Sequence, residues 1–155
     1  MKPTTELPDD PALPGLAAIR AHGLARAIPA LGLEDAPVEL VLCGYKRGDR
    51  ATLEVRTGDR HFAVKAYAGD AASEADLYRA LAAAGLAGAS GPRVPRLLAW
   101  QRDLEIVVIG WLEGPTAHAL VEGGRGWRAG ELAASWLWRA ASAPVRLGPP
   151  CGAAP

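Results

Sequence analysis

Between residues 38 and 67 three β-type runs follow one another with only turns between them. Val38–Cys43 (VELVLC) is largely apolar, while Thr52–Arg56 (TLEVR) and Phe62–Tyr67 (FAVKAY) alternate with period two. The connections YKRGDR and TGDR each hold a Gly-Asp pair, the chemistry a tight hairpin needs because glycine accepts positive φ at no steric cost. This spacing predicts an antiparallel three-stranded meander, and everything else must be arranged around it.

Upstream, residues 1–14 are polar and rich in proline and read as a loose arm. Gly15–Ala27 carries Leu16, Ile19 and Leu24 near helical spacing, with Pro29 as its stop. Downstream of the meander, Asp70 is placed to cap a helix from Ala71 to about Ala84, closed by Gly85. After a Gly/Pro loop come two further strands, Arg96–Trp100 and Leu104–Ile109, turned by Gln101-Arg102-Asp103. Gly110–Gly114 (GWLEG) is a connector, Thr116 caps a short helix to Val121, and Glu122–Gly126 is a flexible break. A last amphipathic helix covers Ala129–Ala141, with Leu132, Trp136 and Leu137 assigned to one face. The fold class is α+β: five antiparallel strands with one helix inserted after the third.

At 155 residues the chain suits one domain or one lobe of something larger. Its formal charge of zero gives no basic field for nucleic acid, and no apolar stretch is long enough to span a membrane. The opening residues lack the apolar run of a signal peptide. Cys43 and Cys151 stand too far apart for a disulfide scaffold or zinc site, which points to a reducing, cytoplasmic setting. His22, His61 and His118 have no metal-binding spacing, and the five tryptophans read as packing residues. Cys43, in an apolar run, reads as a small buried side chain.

Two charged residues resist this bland reading. Lys65 is one of three lysines among 17 basic residues, and it sits inside an apolar strand, sharing a face with Ala63 and Tyr67. Glu74 lies three and four residues before Leu77 and Tyr78, which with Leu81 are expected to form the buried stripe of the following helix. A carboxylate on a core-facing stripe is costly without a cation, and Lys65 is the nearest one the topology supplies. The pair could simply fasten helix to sheet. It could also hold an ammonium ready for phosphate oxygens, as the lysine–glutamate pair of kinases does.

FAVKAY, the glutamate in the next helix, and VVIGWLEG after the fifth strand resemble the N-terminal lobe of the aminoglycoside phosphotransferase family, within the protein-kinase-like superfamily. The resemblance covers about residues 35–150. It implies an N-terminal arm and helix over 1–34, a kinase-like N-lobe and hinge over 35–114, and the first helices of a truncated C-lobe over 115–155. It further implies that Lys65 holds ATP phosphates, that Glu74 orients Lys65, and that the backbone of Gly110, Trp111 and Leu112 receives the adenine edge. The turn Tyr45–Arg50 would lie over the phosphates, with Gly48 its one glycine; taken alone, that turn reads better as an ordinary hairpin.

Phosphoryl transfer in that superfamily needs an aspartate and an asparagine from the second lobe. Here the last aspartate is Asp103, and there is no asparagine at all. The expectation is an ATP-binding half that binds nucleotide weakly, does not retain Mg²⁺ and is inactive alone. A separately encoded C-lobe is the partner a split kinase would need. The alternative is a non-catalytic module that docks a partner through its hinge and last helix.

Overall fold

Once the Gly-Asp turns close the hairpins, main-chain pairing runs out to the turns whatever the side chains. The strands are therefore longer than their apolar runs. In the computed structural model, which describes residues 6–33 and 37–145, β1 is Glu39–Lys46, β2 Arg50–Thr57 and β3 Arg60–Tyr67. Two shorter strands, β4 (Leu97–Gln101) and β5 (Ile106–Gly110), complete an open antiparallel sheet of order β1-β2-β3-β5-β4. The first five residues of the expected arm and the end of the chain, with Cys151, lie outside the described residues.

Alternation sorts the sheet into two faces. On the back, Leu53, Val55, Phe62, Val64, Ala66, Ile106 and Val108 are buried together with Leu13, Leu16, Ile19, Leu24 and Ile28. Those N-terminal residues belong to α1 (Pro14–His22), α2 (Leu24–Ala27) and their flanks. The single helix expected over Gly15–Ala27 is thus two. Gly23, at φ 80°, breaks it while its N–H still bonds the Ile19 carbonyl. A Cβ on Gly15 would run into Ile106 and the Leu104 carbonyl, so glycine is what lets α1 sit this close to the sheet.

The described part of the arm is not loose either. Leu13 is fully buried and Asp10 is 4% exposed. The Asp10 carboxylate accepts hydrogen bonds from the Ala12 and Gly48 N–H groups and from the Tyr45 hydroxyl. Residues 6–33 of the expected arm and helix lie in the same unit as the sheet, and α1 and α2 form its back layer.

On the front face α3 (Ala71–Ala83) packs through Ala71 and Ala75 against Ala63, Val107 and Ile109. The expected stripe of Leu77, Tyr78 and Leu81 is corrected here: Leu77 is 40% exposed, and the inward positions are the two alanines, with Tyr78 partly buried beside them. Nor does Asp70 cap the helix. It has φ 65°, and its carboxylate accepts the Ser73 hydroxyl, while the first-turn N–H of Ala71 donates to the Glu105 carboxylate at 2.9 Å. Cys43 is exposed rather than buried, because the β1–β2 register shifts between Leu42 and Gly44 and leaves it in a bulge.

A second unit comprises Arg79–Val94 and the chain from Gly114. It opens with the last turn of α3, which Gly85 closes in a Schellman arrangement: Gly85 N–H bonds Ala82 and Leu86 N–H bonds Leu81. Thr116 caps α4 (Ala117–Glu122) by accepting the Ala119 N–H, as its position suggested. The expected break is short, and α5 runs from Gly126 to Ala141, one turn earlier than its apolar pattern. No residue of α5 is buried; Leu137 is exposed and Trp138 is 80% exposed.

Candidate functional site

The front face of the sheet carries a charged pair at its middle, whereas on the back the β3 cation, Arg60, lies at the start of the strand, where it donates to the Leu31 carbonyl. Lys65 points to the front because Phe62, Val64 and Ala66 take the back positions. Its Nζ lies 2.5 Å from Glu74 Oε1 on the alanine face of α3, the contact expected from that glutamate's inward position. Small side chains at Ala71 and Ala75 bring the helix backbone close enough for the short acidic side chain to reach the sheet. The Tyr78 ring lies 5.7 Å from the ammonium.

Burial pulls the Lys65 pKa down, but the Glu74 hydrogen bond and charge, with Tyr78, reverse this and hold it above 10.5. The ammonium is therefore fixed in both place and charge at neutral pH. Side-chain exposures of 25% for Lys65 and 21% for Glu74 leave the pair accessible from one side.

Beside it the register places Thr52 opposite Lys65 and Arg50 opposite Tyr67. Residues Cys43, Gly44, Tyr45, Lys46, Arg50 and Thr52 line an open cleft of about 400 Å³ at this end of the sheet. Gly48 forms the turn beyond it with φ 68°, a conformation that favours glycine. Its N–H is held by Asp10 Oδ2 at 2.8 Å, so this amide is engaged on the protein itself. That bond, the largest influence on it, holds the Asp10 carboxyl below its ordinary 3.8 against the opposing effect of burial, and Tyr45 adds to the lowering.

At the other end of the face, the three connector residues differ from one another. Gly110 closes β5 with its N–H on the Arg96 carbonyl at 2.8 Å, and the Trp111 N–H bonds the His61 carbonyl at 3.3 Å. The main chain of Leu112 makes no hydrogen bond among the described residues. Of the three N–H groups expected to meet an adenine edge, only that of Leu112 is open to a ligand. The position opposite Lys65 is Val107, five residues before Leu112. Through Gly110, the last residue of β5, that path covers about 10 Å at the ~3.4 Å rise of a strand.

A polar cluster fixes the connector to the sheet. His61 stacks on Trp111 with centroids 4.5 Å apart and an interplanar angle of 18°. Its ring nitrogens lie 2.7 Å from Glu113 Oε1 and 3.0 Å from Glu54 Oε1, and Glu54 also takes Arg56. Burial raises the Glu54 pKa, but hydrogen bonds from Arg56 and His61 outweigh it and leave the carboxyl below 4.5.

Two of these features escape a reading of the chain. Asp10 sits in a proline-rich stretch that looks unstructured; the apolar Leu13 just before Pro14 is the one local hint. The capping role of Glu105 has no local signal, since it depends on β5 lying beside the start of α3. The Arg50, Thr52 and Lys65 alignment was available from alternation across a hairpin.

Among the described residues no group of three or more His, Cys, Asp or Glu side chains is placed to hold a metal ion. The cleft lining offers the cationic and hydroxyl donors of Lys46, Arg50 and Thr52, the groups a phosphate-bearing ligand would need. Among the described residues no helix is long and apolar enough to cross a membrane. No family model matches the chain, and neither does any curated protein or solved structure.

Proposed function

We propose that the chain is a nucleotide-binding lobe of protein-kinase-like architecture, similar to that of aminoglycoside phosphotransferases, which binds ATP weakly and transfers no phosphoryl group by itself. The observation that carries this reading is the Lys65–Glu74 pair, set on the exposed face of an antiparallel sheet beside a cleft bearing Lys46, Arg50 and Thr52. A pair that only fastened helix to sheet would need no cationic cleft alongside.

In this reading Glu74 is a positioning residue. It holds the Lys65 ammonium at one point of the face so that little rotamer freedom is lost when phosphate oxygens arrive. The Leu112 N–H meets the base edge. The His61–Trp111 stack and its two glutamates keep the connector in place. No aspartate or asparagine, the residue types that orient the acceptor hydroxyl and ligate the metal in kinases, follows Asp103 in this sequence.

Titrating ATP into the wild type and Lys65→Ala, with and without Mg²⁺, tests the reading. Affinity is expected towards the millimolar range, about −4 kcal/mol, indifferent to Mg²⁺ and reduced in the variant. Tight Mg²⁺-dependent binding, or binding unaffected by Lys65→Ala, would overturn it.

A second reading, a non-catalytic module that docks a partner protein through α5, is favoured by one observation. A sixteen-residue helix without a single buried residue, with Trp127, Leu137 and Trp138 exposed, lacks the packing that ordinarily stabilises a helix. If that reading holds, Leu137→Glu abolishes partner capture and leaves ATP titration unchanged.

A further inference from the structure

Four side chains crowd one corner of the front face. In the β2–β3 register Thr52 faces Lys65, and in the β1–β2 register Lys46 faces Arg50; Arg50 and Thr52 are two residues apart and so share that face. Neighbours placed diagonally across strands stand within roughly 7–8 Å, which long side chains span. Arg50 thus sits within reach of both Lys46 and Lys65.

Two of the three have carboxylate partners. Lys65 is paired with Glu74, and Lys46 with Asp49 at 2.8 Å. The Arg50 side chain is exposed and forms no hydrogen bond or ion pair among the described residues, although its charge also acts on the Asp49 carboxylate. No carboxylate appears among the residues lining the cleft. The cleft is open at its β1 side because Gly44 has no side chain there, and a Cβ built on it would meet nothing within 4 Å.

We propose that this cleft is a metal-independent polyphosphate site, in which Arg50 and Lys46 supply the charge compensation that a magnesium ion gives elsewhere. The Arg50 fork receives one phosphate group through paired N–H donors, Lys46 a neighbouring one, and the Thr52 hydroxyl and Lys65 close the other side. The ligand class is a linear di- or triphosphate, whether free or as the arm of a nucleotide. Naming the nucleotide rests on the proposed function above; the site itself rests only on the cleft and its cations.

The test is calorimetric titration of the full chain in EDTA with sodium tripolyphosphate, ATP and adenosine. It uses the wild type, Arg50→Gln and Gly44→Val. Arg50 is exposed and Gly44 has open space and a φ outside the left-handed region, so both variants are expected to fold. Tripolyphosphate and ATP should bind the wild type without metal, and Arg50→Gln should weaken both by about tenfold or more, as loss of a charge-assisted hydrogen bond does. Gly44→Val should block both by filling the cleft, while adenosine should not respond to Arg50→Gln. Tripolyphosphate that fails to bind, or binds Arg50→Gln as well as wild type, overturns the site. ATP that binds equally well to Arg50→Gln also overturns it while sparing the nucleotide reading; ATP no tighter than tripolyphosphate sinks the nucleotide reading and leaves the site standing.

Discussion

Phe62, Val64 and Ala66 of β3 lie under the N-terminal helices, whereas Ala63, Lys65 and Tyr67, the residues between them, face α3 and the cleft. The back of the sheet is covered by two helices and their flanks and is apolar throughout its core. The front is covered only in part, by a helix that approaches through alanines and carries Glu74 inward. Burying the back provides most of the stability, which leaves the front free to hold a charged pair and an open cleft. The lesson is that a sheet of this kind needs only one good face to fold, and the other can be given to binding.

That division can be broken in order of expected effect. Phe62→Ala, on the fully buried back face, should cost about 3–5 kcal/mol of unfolding free energy in chemical denaturation. A loss under about 1 kcal/mol would mean that the back face is not the folding core. Glu74→Ala on the front should cost less, about 1–2 kcal/mol. It leaves Lys65 without its partner, although partial exposure screens the charge. Lys65 has its pKa raised in the folded state, so the pair's contribution is complete below 10.5 and is lost as the pH rises through that raised value. Denaturation followed into the alkaline range should show this loss in wild type and not in Glu74→Ala.

Glu105→Ala removes the acceptor for the Ala71 N–H and should cost about 1 kcal/mol, read as earlier amide exchange in the first turn of α3. Asp10→Asn is expected to have the smallest global effect but a local one, faster exchange at the Gly48 amide. Asp10 titrates below 3.8 when folded, so its hold on the hairpin turn is complete above that value and fades as the pH falls through the lowered one. An acid titration of the Gly48 amide shift checks it; a shift that moves in the neutral range would place the controlling group elsewhere.

What the sequence makes legible follows the same division. The succession of strands along the chain, both hairpin turns, the Thr116 cap and the Gly85 stop are local signals, and each is where its residue chemistry puts it. The Lys65–Glu74 contact was readable because burying a lone carboxylate is costly. By contrast Leu77 looks like a better core residue than Ala75, yet a helix that must bring a glutamate to the sheet packs through its smallest residues. Asp10, Glu105 and the engaged N–H groups of Gly48, Gly110 and Trp111 depend on segments distant in sequence. No periodicity marks them. The bulge that exposes Cys43 is likewise a register feature, invisible in an apolar run.

The claim that the front face binds and the back face only folds is tested most directly by methyl NMR on the wild-type protein. Adding ATP without metal should shift the methyl signals of Thr52 and Ala63 on the front and leave those of Leu53, Val55 and Val64 on the back in place. Shifts confined to the back-face methyls, or none on either face at millimolar ATP, would contradict the account.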